Sequence, residues 1–544
     1  MTNQLRQPLL VLVLICAAFT CVASAVVLTL ALTGHVESDT SFLTKLVIRI
    51  AGFAGLAVIV MLALLRGCTR ESPLLSKENP NPRWHLVFIP CVIAAAIAFP
   101  RLGATPHVEP DEWHHLDVAR NLAVHGLYAS GNPDDGFVLF DSYDSVGPPV
   151  ILPIAAAMYL TGPHLESARL LMAVYFVALA GVVFAYCAPV FGGWAAMASS
   201  LLVIGALGSA YLGRALYGEV PALLFFILAL IAGRAALRNR HVWVWGITAG
   251  AMFGLAILSK YYLLMAVWPL LGTFVFDRLT TKRIRWHHVA APAIGMIAII
   301  GSWSTVQAFA EQNVSKTAGG QLSVYQHNLL FGVEGLKNTT GHLAKHPASA
   351  VALIVGFAFG LWFIQRHTTD PTVVAVWLFA GFQWYWWLFF NTGNLPRYSW
   401  YGWATTAMFL GPLLITMTNS LIQKTTNEPL SRPLAVACCA AIVVPAAIRT
   451  TLETKRAWQD DEMQYTRDLA TYVANRPADD RIATMFWPLE RSIQFLSGRT
   501  IARFRETDTA DEYDVVLVKN TPTRESHGPN IKRFGPYSAI TSRN

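Results

Sequence analysis

Apolar stretches long enough to cross a lipid bilayer recur from about residue 9 to residue 451, and this feature limits the chain to few folds. A helix of about 20 apolar residues spans the hydrocarbon because it satisfies its own backbone groups where water cannot. Runs of that kind fall at roughly 9–33, 46–65, 85–100, 166–187, 191–210, 220–237, 242–258, 261–276, 288–309, 348–365, 372–390, 400–421 and 433–451. Only 14% of the 544 residues are charged, where a soluble domain carries about a quarter. The expectation is a polytopic α-helical membrane protein of about thirteen spans. The first run exceeds the apolar core of a signal peptide and has only Arg6 as a basic flank, so it reads as a retained span.

A net charge of +8 would suit nucleic acid if it were gathered on one surface. Instead the basic residues occupy short loops: Arg66, Arg70, Lys77 and Arg83; Arg234, Arg238 and Arg240; Arg278, Lys282, Arg283 and Arg285. That is the footprint of membrane topology, and nucleic acid is excluded as a partner. The positive-inside rule puts these loops and the N-terminus in the cytoplasm and the C-terminus outside. Five segments then share the external face: a large loop at about 101–165, the turns 211–219 and 259–260, the loop 310–347, and the turn 391–399. All seven cysteines lie in apolar runs or a short cytoplasmic loop, so no disulfide framework is expected.

The chain divides into a transmembrane unit, 1–452, and a tail, 453–544, in which charges become frequent. The tail reads as an amphipathic helix at 460–475, a strand at 481–485, a helix at 489–497 and a buried strand at 513–518. A small extracytoplasmic α/β domain is expected, without a glycine fingerprint for a dinucleotide.

The densest polar cluster opens the external loop. The run PDEWHHLDVARNLAVHG at 110–126 places Trp113, Leu116, Ala119, Leu122 and Ala123 at helical spacing, which predicts an interfacial helix. Pro110 suits its first turn and sets Asp111 and Glu112 at the positive end of the helix dipole. A carboxylate there stays ionised and can accept a proton from a hydroxyl; the competing role for Glu109, Asp111 and Glu112 is capping. His107, His114 and His115 could add metal ligation, although no ligand spacing appears. Asp134, Asp135, Asp141 and Asp144 follow, then a second apolar run, 150–160, too short to span and expected to lie in the interface. The loop 310–347 has the length of a mobile cover, or of a plain connector. Asn313 and Asn338 begin N-glycosylation triplets.

These residues, in order, resemble the GT-C glycosyltransferases of the protein-mannosyltransferase, ArnT and RgtABCD-like group. The resemblance rests on the 110–126 helix, GPPVILP at 147–153 with Glu166 to Leu170 after it, GLAILSK at 254–260, and PRY at 396–398. It implies a GT-C fold and an inverting transfer of a hexose or pentose from a polyprenyl-phosphate carrier to a lipid, glycan or protein hydroxyl. The site would face outward from a bacterial inner membrane. Asp111 would be the general base, with Glu112 beside it, and Glu219 would stand where the group usually has a second external Asp. Lys260, Arg397, Arg214 and Tyr398 would hold the carrier phosphate, while Tyr143, Asp144 and His115 would contact substrate. No cofactor is implied with certainty, and a divalent metal stays an open requirement. One departure stands out: ArnT-type members usually carry a lysine just before the Pro-Pro pair, and here that residue is Gly147. Another cation substitutes, or the donor sits differently.

Two rivals remain. A transporter or flippase would place ionisable residues at mid-membrane in repeated halves, and neither is visible. An O-antigen polymerase or ligase would not be expected to open its first external loop with an Asp-Glu helix.

Overall fold

The computed structural model describes residues 83–311, 347–423 and 462–541, apart from 101, 104–107, 133–135, 141–145, 207, 239–240, 368–369, 391–395, 478, 485–486, 498, 500, 504–512, 520–530 and 535–536. The expected spans at 9–33, 46–65 and 433–451 lie outside these residues. So do His107, Asp134, Asp135, Asp141, Tyr143, Asp144 and most of the loop 310–347.

The bundle is assembled from α1 (Phe88–Ala98), α4 (Leu165–Phe191), α5 (Gly193–Ile204), α6 (Glu219–Arg238), α7 (Val242–Ser259), α8 (Val267–Leu279), α9 (His287–Glu311), α10 (Pro347–His367), α11 (Pro371–Phe390) and α12 (Pro396–Gln423). Two helices, α2 (Pro110–His125) and α3 (Pro148–Thr161), fill the segment expected to be interfacial. Five helical stretches among the described residues are long and apolar enough to cross a membrane: Leu165–Phe191, Glu219–Arg238, Val242–Ser259, Tyr261–Leu279 and His287–Phe309. The expected span 191–210 is shorter than anticipated. Its helix stops at Ile204, and a separate turn, Ser209–Leu212, follows Gly208, whose φ of 84° takes the chain out of helical geometry.

Small residues set the closest helix approaches. Gly246, Gly250 and Gly254 line one face of α7 against α9; a Cβ at Gly250 would lie 1.8 Å from the Pro292 carbonyl oxygen. Gly295 of α9 answers from the other side, 2.1 Å from the Ile247 oxygen by the same construction. Between membrane helices such contact replaces the hydrophobic drive that lipid cannot supply. It also fixes the end of α7, where Lys260 sits. At the opposite end, Arg234 of α6 reaches the Tyr186 carbonyl at 2.9 Å and Asp370 at 2.8 Å, locking α4, α6 and α11 together.

A short hairpin, β1 (Ala129–Asn132) with β2 (Gly136–Leu139), occupies part of the acidic segment read as loop. It is held by α2, where Asn121 Nδ2 donates to the carbonyls of Ala129 and Gly131 at 3.0 and 2.9 Å.

Beyond the bundle, α13 (Glu462–Ala474), β3 (Ile482–Thr484), α14 (Trp487–Ser497), β4 (Ala502–Arg503), β5 (Val515–Lys519), β6 (Ile531–Phe534) and β7 (Tyr537–Thr541) form a mixed sheet in the order β4-β3-β5-β7-β6. Strands β4, β3 and β5 run parallel, while β7 pairs antiparallel with both β5 and β6. Helix α14 packs on α2 through Phe495 against Trp113, ring centroids 5.5 Å apart, and through Gln494, which donates to Asp117 at 3.2 Å.

Candidate active site

Three chain segments meet at the end of the bundle under α2. Gly147, just before α3, donates its backbone N–H to the Leu258 carbonyl at 2.9 Å. Gly218, just before α6, adopts φ 80°, and a Cβ there would lie 2.3 Å from the Ser259 oxygen. A Cβ at Gly147 would lie 2.4 Å from the Leu258 oxygen. Two glycines thus clasp the last turn of α7 from two sides and set the position of Lys260. With this backbone, no side chain fits at Gly147.

The residue after Gly218 and the residue after the clasped turn of α7 bring two charges together. Glu219 opens α6, is 3% exposed, and pairs with Lys260 Nζ at 3.5 Å. Across from them, Arg397 in the first turn of α12 donates Nη2–H to Asp111 Oδ2 at 2.7 Å. The Asp111 side chain is half exposed and that of Arg397 is 12% exposed. The two pairs feel each other, since Asp111 interacts with Lys260 and Glu219 with Arg397. Burial raises the Asp111 pKa, and the surrounding positive groups, Arg397 foremost through its charge and hydrogen bond, together outweigh it and hold the carboxyl below its ordinary range.

His115, one turn along α2, lies between these pairs and is buried. Burial, reinforced by Lys260 and His114, brings its pKa down to about 3, so the ring is neutral. Its Nδ1 stands 2.6 Å from the Leu216 carbonyl oxygen; a carbonyl only accepts, so the proton is on Nδ1. His115 therefore ties α2 to the segment leading into Glu219.

The acids of α2 do not cap it as a set. Glu109 occupies the N-cap position without a side-chain capping bond, and accepts instead from the Tyr217 hydroxyl at 2.9 Å. Tyr217 in turn lies 3.0 Å from the Tyr211 hydroxyl, and its ring sits 4.8 Å beneath the Arg397 guanidinium. Glu112 faces away from Asp111: both its oxygens receive N–H donors from Arg169 of α4, each at 3.0 Å, and neither side chain is exposed. Its expected partnership with Asp111 at the site is not what the geometry provides, because successive helical residues diverge by about 100°. Arg214, expected among the phosphate ligands, donates to the Pro100 carbonyl on the Glu112–Arg169 side. Tyr398 lies in the first turn of α12, beside Arg397. Among the described residues no group of three or more His, Cys, Asp or Glu side chains is placed to hold a metal ion.

Sequence reasoning passed over Tyr217, whose one signal is that it immediately precedes Gly218-Glu219.

A family model described as dolichyl-phosphate-mannose-protein mannosyltransferase matches residues 146–303, from just before α3 into α9. No curated protein matches the chain by sequence. Among solved structures, ArnT from Cupriavidus metallidurans bound to undecaprenyl phosphate superposes with a TM-score of 0.57 at 14% identity, covering 84% of this chain and 98% of that one. The same protein in its apo state gives 0.55 at 14% identity, with 84% and 97% covered. At this identity the likeness shows a shared fold.

Proposed function

We propose that this chain, a GT-C superfamily glycosyltransferase of the ArnT and protein-mannosyltransferase type, moves a hexose or pentose from a polyprenyl-phosphate carrier to a hydroxyl acceptor with inversion. The observation that carries the reading is the pairing of two acids with two cations at one end of the bundle, Asp111 with Arg397 and Glu219 with Lys260. A transfer from a phosphate-linked sugar needs both kinds of group. A base takes the proton of the acceptor hydroxyl as its oxygen attacks the anomeric carbon. Cations oppose the charge that grows on the phosphate as the carbon–oxygen bond on its other side breaks. Asp111 is the base in this reading, being the more exposed acid of the two pairs. Arg397 and Lys260 meet the phosphate, and Glu219 orients Lys260.

The ion pairs suggest an order of events. An arriving phosphate competes with Asp111 for Arg397. Once Arg397 turns to the phosphate, Asp111 loses the partner that lowers its pKa and becomes a stronger base. The proton acceptor is then at its best only when donor is in place. The ArnT structure bound to undecaprenyl phosphate shows a carrier phosphate on the same fold, which supports a lipid-linked donor here. We place the site on the extracytoplasmic side of a bacterial inner membrane, on the positive-inside reading of the loops.

Asp111→Asn tests the assignment. Transfer should fall by about 10²- to 10⁴-fold while the protein stays folded and inserted. Wild-type turnover in the purified variant, with lipid-linked donor and acceptor extracts, would remove Asp111 from the chemistry.

A further inference from the structure

The end of the bundle opposite the two ion pairs carries a loop that the transfer reaction does not use. Residues 280–286 join α8 to α9, and Asp277, fully buried in the last turn of α8, folds that loop around itself. Its backbone carbonyl accepts the N–H of Thr281 at 2.9 Å and that of Lys282 at 2.7 Å. One side-chain oxygen accepts the Thr281 hydroxyl, and the other accepts the Ile284 N–H at 2.7 Å. A buried carboxylate satisfied in this way makes the loop a built turn with a fixed shape. Within it Lys282 takes φ 53°, a left-handed conformation that glycine or asparagine would adopt at less cost. A lysine held there keeps a charge at that point of the turn, and a backbone outlier of this kind points to a use.

The turn sends its cations outward, since Lys282, Arg283 and Arg285 are all exposed. His288 fastens the neighbouring loop to it. Its Nδ1 accepts the Arg285 N–H at 3.0 Å, which leaves the ring proton on Nε2, and the ring hydrogen-bonds the Ala236 backbone. Arg238, two residues beyond Ala236, is thereby brought alongside, its side chain 62% exposed. Two tryptophans stand at the margin. Trp243 in the first turn of α7 meets Trp286 edge-on at 5.8 Å, and the residues are 44% and 71% exposed. The acids at this end turn inward. Among the described residues they are Asp277, under the turn, and Asp370, which pairs with Arg234 at 2.8 Å and reaches Arg238 only at 3.6 Å.

We propose that Arg238, Lys282, Arg283 and Arg285, bordered by Trp243 and Trp286, form a headgroup site for an anionic glycerophospholipid of the phosphatidylglycerol kind. The site stands whether or not the chain transfers a sugar. Guanidinium groups offer paired N–H donors to a phosphate, and the lysine adds a point charge. Exposed indoles beside them favour a lipid over free phosphate or nucleic acid, because tryptophan settles where headgroups meet acyl chains. The surface next to the tryptophans is apolar and open, with Val244 on α7 and Val289 on α9 both exposed, so acyl chains have a wall to lie against. A zwitterionic lipid would bring its own ammonium among four cations and gain less. This end of the bundle is the cytoplasmic one by the positive-inside reading, where anionic lipid attracts such clusters.

Phosphatidylglycerol and phosphatidylcholine of equal chain length, titrated into the purified full-length protein in detergent and counted by native mass spectrometry, test the site. Phosphatidylglycerol should bind about tenfold or more tighter. Lys282→Gln combined with Arg283→Gln and Arg285→Gln should cut that ratio to about twofold or less, with an unchanged melting temperature because all three side chains are exposed. Trp286→Ala should weaken both lipids about threefold and leave their ratio as it is. Neutralising three exposed cations of the tail, Arg481, Lys532 and Arg533, should leave the ratio unchanged. The proposal falls if the two lipids bind alike, if the ratio survives the triple substitution, or if the tail substitutions lower it as much, which would reduce the preference to net charge. Displacement of phosphatidylglycerol by millimolar inorganic phosphate would also overturn it, because the site would then read the anion without the lipid. Should the triple variant fail to fold, Arg283→Gln with Arg285→Gln decides: the ratio should fall about threefold, and an undiminished ratio overturns the site.

Discussion

Asp111 and Glu112 are adjacent, both acidic, and each is paired with one arginine, yet the two pairs are different objects. Asp111 meets Arg397 across 286 residues of sequence, with its carboxylate half exposed at the end of the bundle. Glu112 meets Arg169 in a two-bond clasp from which solvent is absent on both sides. A single bond at a wet edge can be exchanged for another partner at little cost, whereas a desolvated clasp is expensive to open. The first suits a group that must change partners during a reaction. The second suits a joint, here between α2 and α4, that holds the helix from which Asp111 projects.

The sharpest way to break the comparison is to neutralise each acid in turn. Asp111→Asn should leave stability close to wild type and cut transfer by about 10²- to 10⁴-fold. Glu112→Gln should do the reverse at first hand: it strands Arg169 as an unpaired buried cation and should cost about 3–5 kcal/mol of stability. Thermal unfolding followed by fluorescence size-exclusion in detergent separates the two. Equal loss of stability in both variants, or a stable and inactive Glu112→Gln, would dissolve the distinction between reacting group and joint.

A smaller effect is expected at Arg397. Arg397→Gln removes the largest of the influences that offset burial at Asp111, so the Asp111 pKa should rise above its present depressed position. The sign is clear: a base with a lowered pKa stays ionised to lower pH, so wild-type kcat/KM should hold steady down to about pH 4, the ordinary range for aspartate. In Arg397→Gln the acid limb should begin at higher pH, and the KM for lipid-linked donor should rise about tenfold as a phosphate ligand is lost. An unmoved acid limb with a raised KM would keep Arg397 at the phosphate and detach it from Asp111.

Asp111 was legible in the sequence because a Pro at the first turn and acids behind it announce a helix start, and because span counting brought Lys260, Glu219 and Arg397 to the same end of the bundle. What periodicity could not separate was Asp111 from Glu112. Both sit in one helical turn, and only the position of α4 decides which faces Arg169. Arg169 falls within the stretch Glu166 to Leu170, but its partner lies 57 residues away and no local pattern names it. Gly147 was legible only as a departure. The Leu258 carbonyl against its α-carbon is a tertiary contact.

The smallest expected effect is also the most discriminating. If the Glu112–Arg169 pair is a joint, what it needs is filled volume and no orphaned charge, and a pair of apolar residues can supply both. Replacing buried ion pairs by hydrophobic residues of similar size is often neutral or stabilising by about 1–4 kcal/mol. Glu112→Met with Arg169→Met should therefore recover most of the stability that Glu112→Gln loses. The remaining deficit should be about 1 kcal/mol, because Arg169 Nη1 also donates to the Leu102 carbonyl at 3.1 Å and that acceptor loses its donor. Transfer should stay within a few-fold of wild type, since α2 keeps its place and Asp111 keeps Arg397. The same treatment of the exposed pair, Asp111→Met with Arg397→Met, should fold and be inert. If instead the double Met variant at 112 and 169 folds as well as wild type and fails to transfer, the buried pair acts in the reaction through its charge, and both acids of α2 belong to the chemistry.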